Sequence, residues 1–283
     1  MNAWLWNQQD RRFEEPTADI NSSTLMAADS WLVEDGRVRA FDLHRARFGD
    51  AAAQVGMGAI TDDFWAAVVE KIPATGEWFP RVDVLEISPE ADRELAFRLR
   101  PAPPRTQELK VLIPPYPDPR ATPGRKGPDI ALLEGVRTEA REQYGCDEVL
   151  LISKDGYVVE GATTSLLWWS GESLCAPDSE LGALPGVTSA VILEEARARS
   201  VPVESRRVRP EELAGNEVWL VNALHGIRRV REFVGERDIH DSSPCCRETH
   251  RPLAGHGYLP HGGVVRFGDW RAWLETVKVP PGV

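Results

Sequence analysis

The sequence predicts a mixed α/β (α+β) protein of two domains, and three observations carry that prediction. Short segments that alternate at period two are interspersed with segments whose apolar residues recur at three and four. One stretch, PPYPDPRATPGRKGP at 114–128, holds six prolines and divides the chain into two such series. The length of 283 residues, with 42% hydrophobic and 27% charged content, suffices for one large or two medium globular cores. We expect a smaller N-terminal α/β domain over 1–115 and a larger domain over 116–283. The second contains a Pro/Gly/His-rich insertion at 238–263.

Each element has a local reason. AWLWN at 3–7 and TLMAADSWLVEDGRVRAF at 24–41 read as strands, with Glu34-Asp35-Gly36 as a turn. DLHRARFGDAAAQ at 42–54 reads as a helix, with Asp42 as N-cap and Leu43, Ala46 and Ala51 on the buried face. Thr61 opens a second helix whose first turn carries Asp62 and Asp63, where the helix dipole favours acids. RVDVLEIS, ELAFRLR and ELKVLIP read as a meander continuing the first sheet. Pro128 suits the first turn of a helix over about 129–144, since its missing N–H costs nothing there. Ile130, Leu133, Val136, Ala140 and Tyr144 form that helix's apolar stripe. DEVLLIS and YVVEGATTSLLWW are strands around a Lys154-Asp155-Gly156 hairpin turn. ESLCAPD, an LPG loop, a helix TSAVILEEARARS and a final strand with a loop, NEVWLVNALHGIRRV, follow. FGDWRAWLETV reads as a short helix packing through Trp270, Trp273 and Leu274.

Composition excludes some function classes. A formal net charge of −11 argues against a phosphate-backbone binder, so no nucleic-acid partner is expected. No apolar run approaches the ~20 residues that span a bilayer. The start, MNAWLWNQQDRRFEEP, has neither the basic region nor the apolar core of a signal peptide. Cys146, Cys175, Cys245 and Cys246 are too few for a disulfide framework in this chain. The expectation is a cytoplasmic protein with reduced thiols.

Of 33 basic residues only five are lysines: Lys71, Lys110, Lys126, Lys154 and Lys278. Lys71 ends a helix, Lys154 lies in a turn, Lys110 starts a strand and Lys278 is in the tail. Lys126, in TPGRKGPD, alone stands at the domain junction immediately before a helix. A lysine can lose its proton and act as an amine nucleophile, which arginine effectively cannot. Lys126 is therefore either a solvated loop charge or a reactive amine.

The order of motifs distinguishes these. HRARF, the lysine, DGYVVEG, LPGVT and NALHGI occur in series, with Lys126 34 residues before Glu160. In CDEVLLISKDGYVVEG and LPGVT above all, and over residues 24 to 235, the chain resembles the class IV aminotransferases. These are fold type IV pyridoxal-phosphate enzymes, with the architecture of D-amino acid aminotransferase. VVEGATTSLLWW and VNAL are more similar to the 4-amino-4-deoxychorismate lyase branch than to the branched-chain aminotransferase branch.

The resemblance implies a cofactor, pyridoxal 5′-phosphate, at the domain interface of a homodimer, and a small-molecule amino substrate. It makes Lys126 the Schiff-base lysine and general base, a role that needs an amine of lowered pKa. Glu160 would hold the ring nitrogen and keep it protonated. Val187 and Thr188, after Gly186, would bind the phosphate at a helix N-terminus; simple capping by Thr188 is compatible with that. Arg47 would pair with the same phosphate, its planar fork suiting two oxygens; Arg45 and Arg47 cannot share a helix face. Thr164 stands in the cofactor-binding EGATTS segment, and Asn222 would bond the cofactor hydroxyl or a substrate carboxylate. Asp29, Ser30, Ala223 and His225 are the substrate-side candidates, His225 being equally a loop histidine.

This sequence also departs from the family pattern. Asp129 and Ile130 replace an asparagine and a ring or cation after the lysine. Thr164 and Ser165 replace a serine and asparagine. Asp29 and Ser30 replace a threonine pair of the lyase branch. Two reactions stay open: cleavage of aminodeoxychorismate to 4-aminobenzoate and pyruvate, or transamination of branched-chain or D-amino acids. A non-catalytic scaffold with a metal-binding insertion is the rival of another class. That insertion, around IHDSSPCCRETHRPLAGHGYLPHGG, holds four of the six histidines. These are zinc-ligand types, but the spacing fits no ordinary finger, and no metal ligands are assigned.

Overall fold

The computed structural model describes residues 2–16, 19–87, 93–235 and 266–282. The insertion at 238–263, with its histidines and paired cysteines, lies outside the described residues. The chain forms two compact units: Met1–Arg105 with Arg125–Ile130 and Glu275–Val283, and Thr106–Gly124 with Ala131–Leu274.

The first unit contains β1 (Asn2–Asn7), β2 (Arg12–Glu14), β3 (Thr24–Ser30), β4 (Val33–Glu34), β5 (Arg37–Arg39), α1 (Phe41–Gln54) and α2 (Asp62–Lys71). It continues with β6 (Glu77–Trp78), β7 (Arg81–Glu86), β8 (Glu94–Leu99) and β17 (Lys278–Val279). An antiparallel sheet in the order β2-β1-β8-β7-β3 leaves β3 at its edge, and a smaller sheet runs β17-β5-β4-β6. In register, Asp29, Val82, Phe97 and Trp4 lie opposite one another and so share a face. On that side Trp31, Phe48, Phe64, Trp65 and Phe97 form an aromatic core.

Helix α1 starts at Phe41, not Asp42. Its N-cap is Ala40 in the left-handed conformation (φ +48°), with no side-chain cap. The buried face is Phe41, His44, Phe48, Ala51 and Ala52, whereas Leu43 and Ala46 are exposed. Phe41, His44 and Phe48 stand at i, i+3 and i+7, and this stripe with its larger rings takes the core in place of Leu43 and Ala46. Helix α2 begins as expected, with the Thr61 hydroxyl accepting from the Phe64 N–H. The Asp35–Gly36 turn has both φ values positive, as a tight hairpin requires. Lys278 is not in a loose tail: it is buried in β17, its amine bonded to Glu34 and Glu275.

The second unit contains β9 (Glu108–Leu112), α3 (Ile130–Tyr144), β10 (Glu148–Ile152), β11 (Val158–Gly161), β12 (Ser165–Ser170), β13 (Ser173–Pro177) and α4 (Val187–Ala198). After these come β14 (Val203–Arg206), β15 (Val218–Asn222), β16 (Gly226–Val234) and α5 (Arg266–Thr276). One sheet runs β11-β10-β9-β16-β15-β12-β13-β14. Thus β9 does not extend the first meander: it pairs in parallel with β10 and β16. Alternation alone cannot tell which sheet a strand joins. NEVWLVNALHGIRRV forms two antiparallel strands, with Gly226 (φ +68°) ending the turn between them. The α3 stripe packs through Leu133, Val136, Ala140 and Tyr144 onto Val149, Leu151 and Val159. Trp270 and Leu274 of α5 are buried, and Trp270 lies against Trp169 and Trp219.

Candidate functional site

In the first unit the segment bearing Lys126 lies along the open edge of β3. The Ala28 N–H donates to the Lys126 carbonyl at 2.7 Å. Gly127, at φ +148°, comes so close to β3 that an added Cβ would lie 2.7 Å from Ala27 Cα. Only glycine allows that approach.

Beside it, Asp29 is wholly buried. Arg47 grips both its oxygens, Nε to Oδ2 at 2.7 Å and Nη2 to Oδ1 at 2.8 Å. His44 Nδ1 lies 2.8 Å from Oδ1, and the Ser30 N–H donates to the same oxygen at 2.6 Å. Burial alone would raise the Asp29 pKa, but Arg47 and His44 outweigh it and hold the carboxyl well below its usual range. For His44 burial dominates over Asp29 and lowers the pKa, which keeps the ring neutral. An ionised carboxylate only accepts, so Nδ1 carries the proton that His44 donates. Arg45 points elsewhere, to Asp62 and over Trp65, as the helix spacing requires.

Lys126 is half-buried, and among the described residues its amine has no hydrogen bond or ion pair. Burial lowers its pKa to about 8, with Arg47, Arg81 and Arg100 adding to the shift and Asp29 opposing it. An amine that titrates near neutrality without a fixed partner is chemically available.

In the second unit Glu160 is buried at the end of β11. Its Oε1 takes both a 2.7 Å ion pair from Arg120 Nη1 and the Leu184 N–H at 2.8 Å. Burial raises its pKa to about 7 against the pull of Arg120 and of the Leu184 N–H. Oε2 accepts no hydrogen bond among the described residues. Arg120 is itself gripped by Asp118, at 2.7 Å from Nη2. Neither Asp118 nor Arg120 was legible as a site residue in the proline-rich stretch, because the partner lies 40 positions along the chain.

Two residues beyond Leu184 the chain enters α4. Gly186, not Thr188, is the N-cap, and it supplies no side-chain cap. The first N–H groups of α4, those of Val187 and Thr188, are therefore open to an anion. Both side chains are buried. An added Cβ on Gly186 would sit 2.1 Å from Ser165 Oγ, so Ser165 is the hydroxyl at this helix start.

Thr164 turns the other way. Its hydroxyl lies 3.4 Å from Glu148 Oε2, and that of Thr163 donates to the same oxygen at 2.6 Å. Glu148 is fully buried, and such a carboxylate needs donors. Asn222 is likewise committed: Nδ2 donates to the Thr163 carbonyl at 3.2 Å, and Oδ1 accepts the His225 N–H at 2.8 Å. The His225 ring accepts from the Thr106 N–H at 3.2 Å. Asn222 thus braces the Ala223–His225 turn against the threonine segment. In the first unit Ser30 and Arg47 bond Asp29 on β3, along which the Lys126 segment runs; in the second, Glu160 bonds Leu184 just before the α4 start at Val187 and Thr188, whereas Thr164 bonds Glu148, and Asn222 bonds Thr163 and the Ala223–His225 turn.

Each unit by itself carries donors of the kind pyridoxal phosphate takes: an unpartnered amine in the first, and in the second a buried carboxylate with one open oxygen and an uncapped helix start with a hydroxyl. Among the described residues no cluster of His, Cys, Asp and Glu could hold a metal, and no helix is long and apolar enough to cross a membrane.

The model of the family "Amino-transferase class IV" matches residues 26–233. A stretch of 89 residues is 29% identical to the aminodeoxychorismate lyase of Bacillus subtilis, covering 30% of each chain. Another of 105 residues is 29% identical to the "Probable branched-chain-amino-acid aminotransferase" of Thermotoga maritima, over 37% of this chain and 38% of that one. These matches span only about a third of the curated relatives' length. The solved branched-chain aminotransferase of Thermoproteus uzoniensis, with norvaline, superposes with a TM-score of 0.76 at 17% identity, covering 97% of this chain and 93% of that one. That likeness establishes the fold, the fold type IV architecture.

Proposed function

The chain belongs to the class IV aminotransferases, pyridoxal-phosphate-dependent enzymes, and from that premise we propose that it is a 4-amino-4-deoxychorismate lyase with Lys126 as its reactive amine. The observation that carries the assignment of the lysine is its half-buried, unpartnered amine with a pKa near 8. The lyase reading rests on the LLWW and VNAL segments and on the local identity with the Bacillus subtilis lyase. The buried pairing of Asp29 with Arg47 also turns that carboxylate inward, so its departure from the lyase pattern counts less against the reading.

When bound, the cofactor supplies an aldehyde that takes up amines and a ring that accepts electrons released at the substrate. The residues do the rest. Val187 and Thr188 offer N–H groups to the phosphate, and Arg47 adds charge. Glu160 offers Oε2 to the ring nitrogen, and Arg120 favours its ionised form. Lys126, whose lowered pKa of about 8 lets it shed its proton, takes the proton from the carbon bearing the substrate amine. The C–O bond to the three-carbon side chain then breaks, giving 4-aminobenzoate and pyruvate. Asn222 fixes the Ala223–His225 turn as a wall for the substrate.

A second reading is favoured by the Thermotoga maritima match: transamination, in which Lys126 would move the substrate's α-proton, the amino group would stay with the cofactor and, with water taken up, a 2-keto acid would leave. The experiment is pyruvate release from aminodeoxychorismate, read by a coupled lactate dehydrogenase assay without added keto acid. Release supports the lyase. Turnover that requires a keto acid acceptor sinks it in favour of the transaminase. We further propose a cytoplasmic homodimer, tested by fractionation and sedimentation.

A further inference from the structure

We propose that Asp29, aimed by His44, is a positioning residue of the Lys126 site: it holds the Arg47 guanidinium in one orientation and places a fixed negative charge beside the lysine. The inference rests on the assignment of Lys126 and Arg47 to the cofactor and deepens it.

The geometry gives Asp29 an unusual degree of constraint. It lies on the edge strand β3, next to Ala28, whose N–H holds the Lys126 carbonyl at 2.7 Å. Its side chain faces the aromatic core, where an ionised group is tolerated only if fully paired. Among the described residues all the pairing comes from α1 and from its own strand: His44, Arg47 and the Ser30 N–H. His44 occupies a buried i+3 place in an otherwise apolar helix face, between Phe41 and Phe48. A neutral imidazole there has one evident use, donation to Asp29. The bidentate grip fixes Nε and Nη2 of Arg47, so the rotamer of the whole guanidinium is set before any ligand arrives.

The titratable and charged groups acting on Lys126 are Asp29 on β3, Arg47 on α1, Arg81 on β7 and Arg100 beyond β8, with the neutral His44 ring beside them on α1. Asp29 is the one that raises the lysine's proton affinity; the three arginines lower it. Without Asp29 the amine would face three guanidinium groups and would give up its proton more readily. Asp29 therefore holds Lys126 in the range where it can both give and take a proton.

The test uses the apoprotein and one binding comparison. Competitive acetylation across pH with peptide mapping reads the Lys126 midpoint, and affinities for pyridoxal phosphate and pyridoxal read phosphate recognition. In the wild type the midpoint is expected near 8. Asp29→Asn is expected to lower it by about one unit and to cut the preference for the phosphorylated cofactor by roughly tenfold or more. His44→Asn, which keeps the carboxylate, is expected to cut the preference while leaving the midpoint in place. It also serves if Asp29→Asn gives no cooperative melt. An unchanged midpoint and preference in a folded Asp29→Asn protein overturns the proposal, as does an unchanged preference in His44→Asn. Borohydride reduction of the wild-type holoprotein is the separate control. An adduct mapping away from Lys126 overturns the cofactor assignment, while the acetylation midpoint still decides the charge coupling.

Discussion

Arg120 Nη1 lies 2.7 Å from Glu160 Oε1, and on its other side the same guanidinium is held by Asp118. The arginine thereby opposes the burial that raises Glu160 to about 7. Removing it leaves a buried carboxyl with a single backbone donor, and its pKa rises further.

The first prediction follows from that contact. Arg120→Leu should weaken cofactor binding at pH 7 by roughly tenfold, since the ring nitrogen needs an ionised partner. The pH at which binding is half-maximal should move up. Arg120→Lys, a point charge without the fork, should recover part of the loss. Titration of cofactor absorbance against pH in the three proteins checks this.

Lys126 gives a stability prediction whose sign follows from linkage. Its folded pKa is about 8 against 10.5 for an ordinary lysine, so between these values the unfolded chain binds more protons. Apoprotein stability therefore rises with pH through that window, and below it the charged amine is a burden. Lys126→Met should raise the apoprotein Tm at pH 7 by about 2–4 °C. The gain should shrink by pH 10. The same variant should bind no cofactor covalently, and a reduced adduct on it would contradict the assignment of the lysine.

Gly127 is predicted to tolerate no side chain. A Cβ would strike the Ala27 backbone at 2.7 Å, and φ +148° is a conformation L residues rarely adopt. Gly127→Ala should cost on the order of 2 kcal/mol or more and displace Lys126 from the β3 edge. Urea unfolding measures the first effect, borohydride incorporation the second.

Lys278 is expected to act as a clasp. Its amine binds Glu34 and Glu275, and its carbonyl accepts Arg37 Nε and Nη2 at 3.0 and 2.7 Å. Lys278→Met leaves the two carboxylates less compensated and should destabilise by about 1–2 kcal/mol. Thermal melts at low and high salt check this; the loss should be smaller at high salt.

The sequence by itself determined most elements and the family. Period and turn chemistry are local: Thr61 caps its helix, Asp35-Gly36 turns its hairpin, and the apolar stripe of α3 follows the helical repeat. The series of motifs from HRARF to NALHGI is a property of order, which a sequence displays directly. Tertiary structure alone decided the partners. Alternation in ELKVLIP makes a strand but cannot choose its sheet, and β9 joined β10 and β16 through parallel pairing with strands distant in sequence. Asp42 and Leu43 compete with Phe41 and His44 for the same helix, and the core's demand for the rings settled the register. The commitments of Arg47 to Asp29, Arg120 to Glu160 and Thr164 to Glu148 depend on burial, since a charge or hydroxyl removed from water takes whichever complementary group the fold brings within reach.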